Sequence, residues 1–257
     1  MSPVQPATRR TTRLRLTVIA AAVSGLALAA CSDTEENSAN ALVNAEQPIK
    51  LAQASLSDSA TSETASTVEA PASEGSVDME ALMAEGPLPD IVIGDEDAPV
   101  TIVEYASMTC SHCRDFHENS YPALKEEYLD TGKAKLIVRE FPFDPRALAA
   151  FMLARCAGDD AKRTAMVDVM FQQQSEWAYA DNASAALLKI ARLAGMSQDD
   201  FKACLNDTEL QKKIVETQQR GENEFGVSAT PTFFVNGDKY AGALSAEQMG
   251  AVIENHM

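Results

Sequence analysis

The chain has 257 residues, 46% of them apolar, enough for one packed domain with an insertion or for two small domains. Lys and Arg number 21 against 38 Asp and Glu, a formal charge of −17. So acidic a surface argues against nucleic-acid binding, which needs basic stripes to displace counterions from phosphates, and it favours solubility in an aqueous compartment.

Residues 1–30 carry Arg9, Arg10, Arg13 and Arg15 and then the uncharged run Leu16 to Ala30. The run is too short and too rich in alanine for a membrane span and suits a signal peptide, so export is expected. Without those residues, 17 basic side chains face 38 acidic ones, a formal charge of −21. Arg9-Arg10 matches a twin-arginine signal only weakly, because Thr11 and Thr12 stand where an apolar pair is usual. The run ends Leu28-Ala29-Ala30-Cys31, which resembles the lipobox of bacterial lipoproteins. Cys31 is then expected to be lipidated and to become the new N-terminus, an anchor to the membrane. Ordinary signal-peptide cleavage, leaving Cys31 as a stray thiol, is the alternative.

Residues 31–89 are expected to form a low-complexity tether. Ser, Thr, Ala, Glu, Asp and Asn dominate residues 32–77, and such a segment buries too little apolar area to offset its ordering entropy. Leu42, Val43, Ile49, Leu51 and Leu56 would allow a short helix within residues 41–56, but Pro48 interrupts it.

The folded domain is expected over residues 90–257. Ile91-Val92-Ile93 gives a short strand, and Val100 to Tyr105 a longer one leading into Cys110-Ser111-His112-Cys113; Arg114 to Leu129 reads as a helix. Lys135 to Phe141 forms the next strand, stopped by Pro142. From Pro145 to about Phe225 the pattern is helical: Ala147 to Cys156, Asp159 to Gln174, Ser184 to Ala194, Ser197 to Leu205 and Asp207 to Phe225. Ser197 with Asp200 makes a capping pair, and Leu210, Ile214, Gln218 and Phe225 mark one helical stripe. Thr232 to Val235, the turn Asn236-Gly237 and Lys239-Tyr240 read as a hairpin, and Ser245 to Gln248 opens a last helix with a capping box.

Two thiols separated by two residues at the mouth of a helix can cycle between dithiol and disulfide. A zinc site would need Cys110, Cys113, His112 and His117, yet adjacent His112 and Cys113 converge poorly on one tetrahedral ion, and no second CxxC or HxxxH follows, so no metal is expected. His117 is then expected on the helix surface. Cys110, at the positive end of the helix dipole and near backbone N–H donors, is expected to be the attacking sulfur, with Cys113 one turn further in as the resolving one. Cys156 and Cys204 lie in different helices and are expected to pair in an oxidising compartment; two buried free thiols are the alternative.

The order of elements, the CxxC after a strand and Ala229-Thr230-Pro231-Thr232 far downstream together resemble the DsbA family of exported thiol-disulfide oxidoreductases, over about residues 90–257. The resemblance implies an α/β thioredoxin fold with an all-helical insertion, about residues 145–225, between the two halves of the core. It implies no cofactor beyond the cysteine pair. Periplasmic or envelope substrate proteins with cysteines follow as partners, together with a membrane quinone-linked, DsbB-like oxidase that recharges the pair. Residue by residue, Pro231 falls at the family's cis-proline, Thr230 would present its backbone to an extended substrate, His112 would tune the potential, and Glu104 matches a partly buried acid that assists proton movement. The plain readings are a trans proline opening a strand and an edge-strand carboxylate. Ser111 stands where the best-known members have proline, which leaves the potential open. Oxidase leads over isomerase or reductase, since residues 32–77 look too polar for the N-terminal dimerisation module of the isomerases. A non-catalytic envelope-binding lipoprotein would not need both Cys110 and Cys113.

Overall fold

The computed structural model describes residues 68–257; the signal-peptide, Cys31 and residue 41–56 readings lie outside the described residues. The centre is a five-stranded mixed sheet built from β1 (Val92–Gly94), β2 (Val100–Ala106), β3 (Ala134–Glu140), β4 (Thr232–Val235) and β5 (Asp238–Ala241), in the order β1-β3-β2-β4-β5. β2 and β3 run parallel; the other pairs are antiparallel. All seven residues of β2 are buried, as expected of a middle strand covered on both faces.

Side-chain alternation along β2 divides the core. Ile102 and Ala106 join the larger cluster, which runs through Phe116, Phe233 and the helices of the insertion; Val103 and Tyr105 face the smaller one, with Leu82, Phe141, Phe225 and Phe234. The two-residue turn Asn236-Gly237, with φ of 45° and 96°, joins β4 to β5 as expected of Asn-Gly. Asn236 also ties the hairpin to β2, its Oδ1 accepting from Thr101 N at 2.8 Å while its N–H donates to Thr101 O at 2.9 Å.

The ordered domain begins earlier than the expected Asp90. Backbone hydrogen bonds join Glu74, Gly75 and Val77 to Lys239 and Gly237, so residues 74–77 lie along the outer edge of β5. Asp78 then caps α1 (Met79–Met83), which buries Leu82 completely. Composition read this stretch as tether because its apolar residues are few; those few all serve one short helix and its contact with the sheet.

The expected helix Arg114 to Leu129 is three pieces: α2 (Ser111–Asn119), α3 (Tyr121–Leu124) and a π-helical turn, Lys125–Leu129. Pro122 lacks the N–H that a continuous helix needs, and Ser120 at the break donates its hydroxyl to Leu244 O at 2.8 Å. The insertion comprises α4 (Pro145–Arg155), α5 (Asp160–Gln172), α6 (Gln174–Trp177), α7 (Ala183–Leu193), α8 (Gln198–Leu205) and α9 (Thr208–Phe225). α6 fills a stretch where the sequence pattern predicts the end of one helix and a connection. Cys156 and Cys204 are joined as a disulfide, with Cα atoms 6.1 Å apart, linking the end of α4 to α8. Helix α10 (Ala246–Asn255) closes the chain behind a capping box of Ser245 and Gln248. Among the described residues no helix is long and apolar enough to cross a membrane.

Candidate redox site

Strand β2 ends at Ala106, and a tight turn hands the chain to α2. Cys110 is the N-cap of α2: its N–H donates to Ser107 O at 3.0 Å, and its carbonyl accepts from Arg114 N at 3.1 Å. That position leaves Sγ among N–H groups with no intrahelical partner. Cys110 is half-buried and Cys113 fully buried; both are thiols.

The two sulfurs are driven apart in acidity. Cys110 is lowered from 9.0 to about 5, chiefly by its hydrogen bond with the Cys113 thiol, then by the Thr230 side chain and the backbone N–H groups of Cys113 and His112, against the opposing effect of burial. Cys113 is pushed well above 9.0, first by burial, then by its bond to Cys110 and by the nearby Glu104 charge. One thiolate is therefore available while its neighbour keeps its proton.

Opposite Cys110 lies the loop entering β4. Thr230-Pro231 is a cis peptide, and in the thiol form Cys110 Sγ donates to Thr230 O at 3.2 Å. Thr230 acts through both ends: its carbonyl favours the protonated sulfur, its hydroxyl the thiolate. The His112 ring is exposed, so its backbone N–H is the part that reaches Cys110.

Glu104 lies on the middle strand, not an edge, and has no exposed surface. His117 is likewise no surface residue: one helical turn beyond Cys113 it turns inward, its Nε2 2.9 Å from Glu104 Oε2 and its ring stacked on Phe171 at 4.1 Å. Burying a carboxylate without a partner is costly, and His117 supplies that partner.

Two residues of the insertion, absent from the sequence reading, hold the catalytic turn. Gln174, at the start of α6 and completely buried, donates through Nε2 to Met108 O at 2.9 Å and to Cys110 O at 2.8 Å. Asp144, the N-cap of α4, accepts from Thr109 Oγ1 at 2.5 Å. Both lie tens of residues from the motif in sequence, and no local spacing signals them.

A dithiol at a helix N-terminus, facing a cis-prolyl loop on a mixed sheet of this order, defines a thioredoxin-fold redox centre. Residues 88–255 match the family described as Thioredoxin. The crystal structure of Wolbachia pipientis alpha-DsbA1 is 37% identical and superposes with a TM-score of 0.62, over 66% of this chain and 92% of that one. A Bacillus cereus protein provisionally described as disulfide bond formation protein D is 31% identical over 155 residues, 57% of this chain and 69% of that protein. A Rickettsia typhi protein provisionally described as a protein-disulfide oxidoreductase is 37% identical over 148 residues, 58% of this chain but only 55% of that protein's length. The chain belongs to the DsbA-like members of the thioredoxin family.

Proposed function

We propose that the protein is an exported thiol-disulfide oxidoreductase that donates the Cys110–Cys113 disulfide to substrate proteins containing cysteines. The observation that carries this reading is the Cys110 sulfur at the mouth of α2, drawn down to about 5 beside a Cys113 that stays protonated. A dithiol whose thiolate is so stabilised gives up electrons reluctantly, and the corresponding disulfide is an oxidant. A substrate thiolate attacks Cys110 Sγ, the internal S–S bond breaks and Cys113 leaves; a second substrate thiolate then attacks its own sulfur in the mixed disulfide and releases Cys110 as the thiolate. The Thr230 backbone, beside Cys110, pairs with the extended substrate during this exchange.

In this proposal residues 1–30 are a signal peptide, Cys31 carries the lipid anchor, and the segment up to about residue 73 is the tether. The anchor keeps the domain in the envelope, near a membrane quinone-linked partner of DsbB type that reoxidises it. The test is stoichiometric: oxidised protein is mixed at pH 7 with a reduced peptide holding two cysteines. Transfer of the disulfide to the peptide is expected. A peptide that stays reduced, or reshuffling of scrambled disulfides that outpaces transfer, contradicts the donor role.

A further inference from the structure

We propose that Gln174 is a positioning residue for the exchange at Cys110: its carboxamide fixes the backbone of residues 108–110, keeps the Cys110 sulfur against the N–H groups that open α2, and makes the cysteine pair a stronger oxidant. The proposal rests on the thiol-disulfide reading above and adds which part of the insertion sets the strength of the pair.

Of the three consecutive glutamines 172–174, only the last is buried. A break in the helix is the reason. α5 stops at Gln172, Gln173 leaves helical geometry at φ −103° and ψ 17°, and α6 restarts with Gln174 facing inward. The short helix is braced twice. Trp177, fully buried, donates from Nε1 to Met170 O at 2.8 Å, back across the break, and Ala178 O accepts from Arg146 Nη1 at 2.5 Å, which ties the end of α6 to α4. Gln174 is thus presented to the catalytic turn from a preset support.

Its contacts are one-sided. Nε2 commits both hydrogens to the turn, one to Met108 O and one to Cys110 O, while Oε1 is buried with no partner among the described residues. Turned over, the carboxamide would set its oxygen against two carbonyl oxygens, so one orientation is open to it. Buried polar atoms are normally paired, and an unpaired one lowers stability. The fold tolerates that loss at a residue whose two hydrogen bonds both go to the turn that carries Cys110. A neutral group with two hydrogens on one atom suits two neighbouring carbonyls, whereas an ammonium or guanidinium in its place would bury a charge.

The bond to Cys110 O bears most directly on the sulfur. That oxygen belongs to the peptide joining Cys110 to Ser111, so holding it holds ψ of Cys110 at the 123° of an N-cap residue. Arg114 N donates to the same oxygen from inside α2, and Gln174 adds a second grip from outside the helix. Between the two carbonyls, Thr109 Oγ1 donates to Asp144 Oδ2, but that bond holds a side chain and does not reach the Cys110 peptide. With the backbone fixed, the N–H groups of His112 and Cys113 stay directed at Cys110 Sγ. They favour a thiolate far more than a disulfide sulfur. Fixing them therefore stabilises the dithiol form over the disulfide, which is what makes the disulfide an oxidant.

The test compares four full chains: wild type; Gln174→Met, which keeps the side-chain length and loses both donors; Gln174→Asn, which draws them back by one methylene; and Ile190→Val, which trims the buried face of α7 elsewhere in the insertion. Each is equilibrated with glutathione buffers at pH 7, where the protein disulfide and two glutathione thiols give the Cys110–Cys113 dithiol and glutathione disulfide. The thiolate absorbance of each reduced chain is also titrated against pH. For Gln174→Met the equilibrium is expected to move about tenfold toward the protein disulfide, about 30 mV, with the thiolate midpoint higher by about one pH unit. Gln174→Asn is expected to move both in the same direction by less, and it decides the matter if Gln174→Met fails to fold. Ile190→Val is expected to lower the melting temperature and leave both readings in place. Wild-type readings in the Gln174 variants, or equal shifts in Ile190→Val, overturn the positioning role. A wild-type pair no more oxidising than thioredoxin overturns the donor reading instead, whatever the variants do.

Discussion

At the scale of single residues, the sulfur of Cys110 and the carboxamide of Gln174 decide most. Thiolate absorbance of the reduced protein is expected to titrate with a midpoint near 5, the value to which Cys110 is lowered. A midpoint near 9 would remove the physical basis for oxidising power. Gln174→Leu removes the donor to Met108 O and Cys110 O. It is expected to cost about 1–3 kcal/mol, read from the denaturant midpoint, because the buried Met108 carbonyl loses its partner while Cys110 O keeps Arg114 N. The sequence made Cys110, Cys113 and Pro231 legible because each lies in a short motif whose spacing carries its chemistry. His117 was misread even though it stands four residues after Cys113, the spacing that puts two side chains on one helix face. What turns it inward is Glu104, a buried carboxylate on another element, which local spacing does not report.

At the scale of elements, local rules sufficed where the chain solves a local problem. The Asn236-Gly237 turn and the capping boxes at Ser197 and Ser245 are of this kind. They failed where packing decides: α1 forms around a single buried leucine, and the helix after the CxxC breaks at Ser120 and widens into a π turn before β3. The crossing of α9 over the sheet is equally tight. A Cβ on Gly221 would lie 2.6 Å from Tyr105 Cε1, and Tyr105 is held from its other side by Arg139, which donates to its hydroxyl at 3.2 Å. Gly221→Ala is therefore expected to destabilise the domain by about 1–3 kcal/mol, the usual cost of overpacking. An unchanged melting temperature would show that α9 can slide on the sheet.

At the scale of the whole molecule, the insertion braces the redox centre: Asp144 and Gln174 grip the turn before α2 from α4 and α6, and the Cys156–Cys204 bridge ties α4 to α8. Replacing both Cys156 and Cys204 by Ala is expected to cost about 2–4 kcal/mol in unfolding free energy, mainly by freeing the unfolded chain. The Cys110 titration should stay in place, because neither residue touches that sulfur. Redox state and stability are linked through the same thiolate. Cys110 is more acidic in the folded than in the unfolded chain, so it stabilises the reduced protein at neutral pH, and this contribution is lost as pH falls through about 5. The reduced form is thus expected to gain in melting temperature relative to the oxidised form between pH 5 and 8; a difference that does not change with pH would sever the link. The most direct measurement is the equilibrium of the Cys110–Cys113 pair in the full chain against glutathione buffers at pH 7. A donor of disulfides requires a potential clearly more oxidising than the value of about −270 mV typical of thioredoxin; a potential at or below that value would make the protein a reductant and contradict the proposed function.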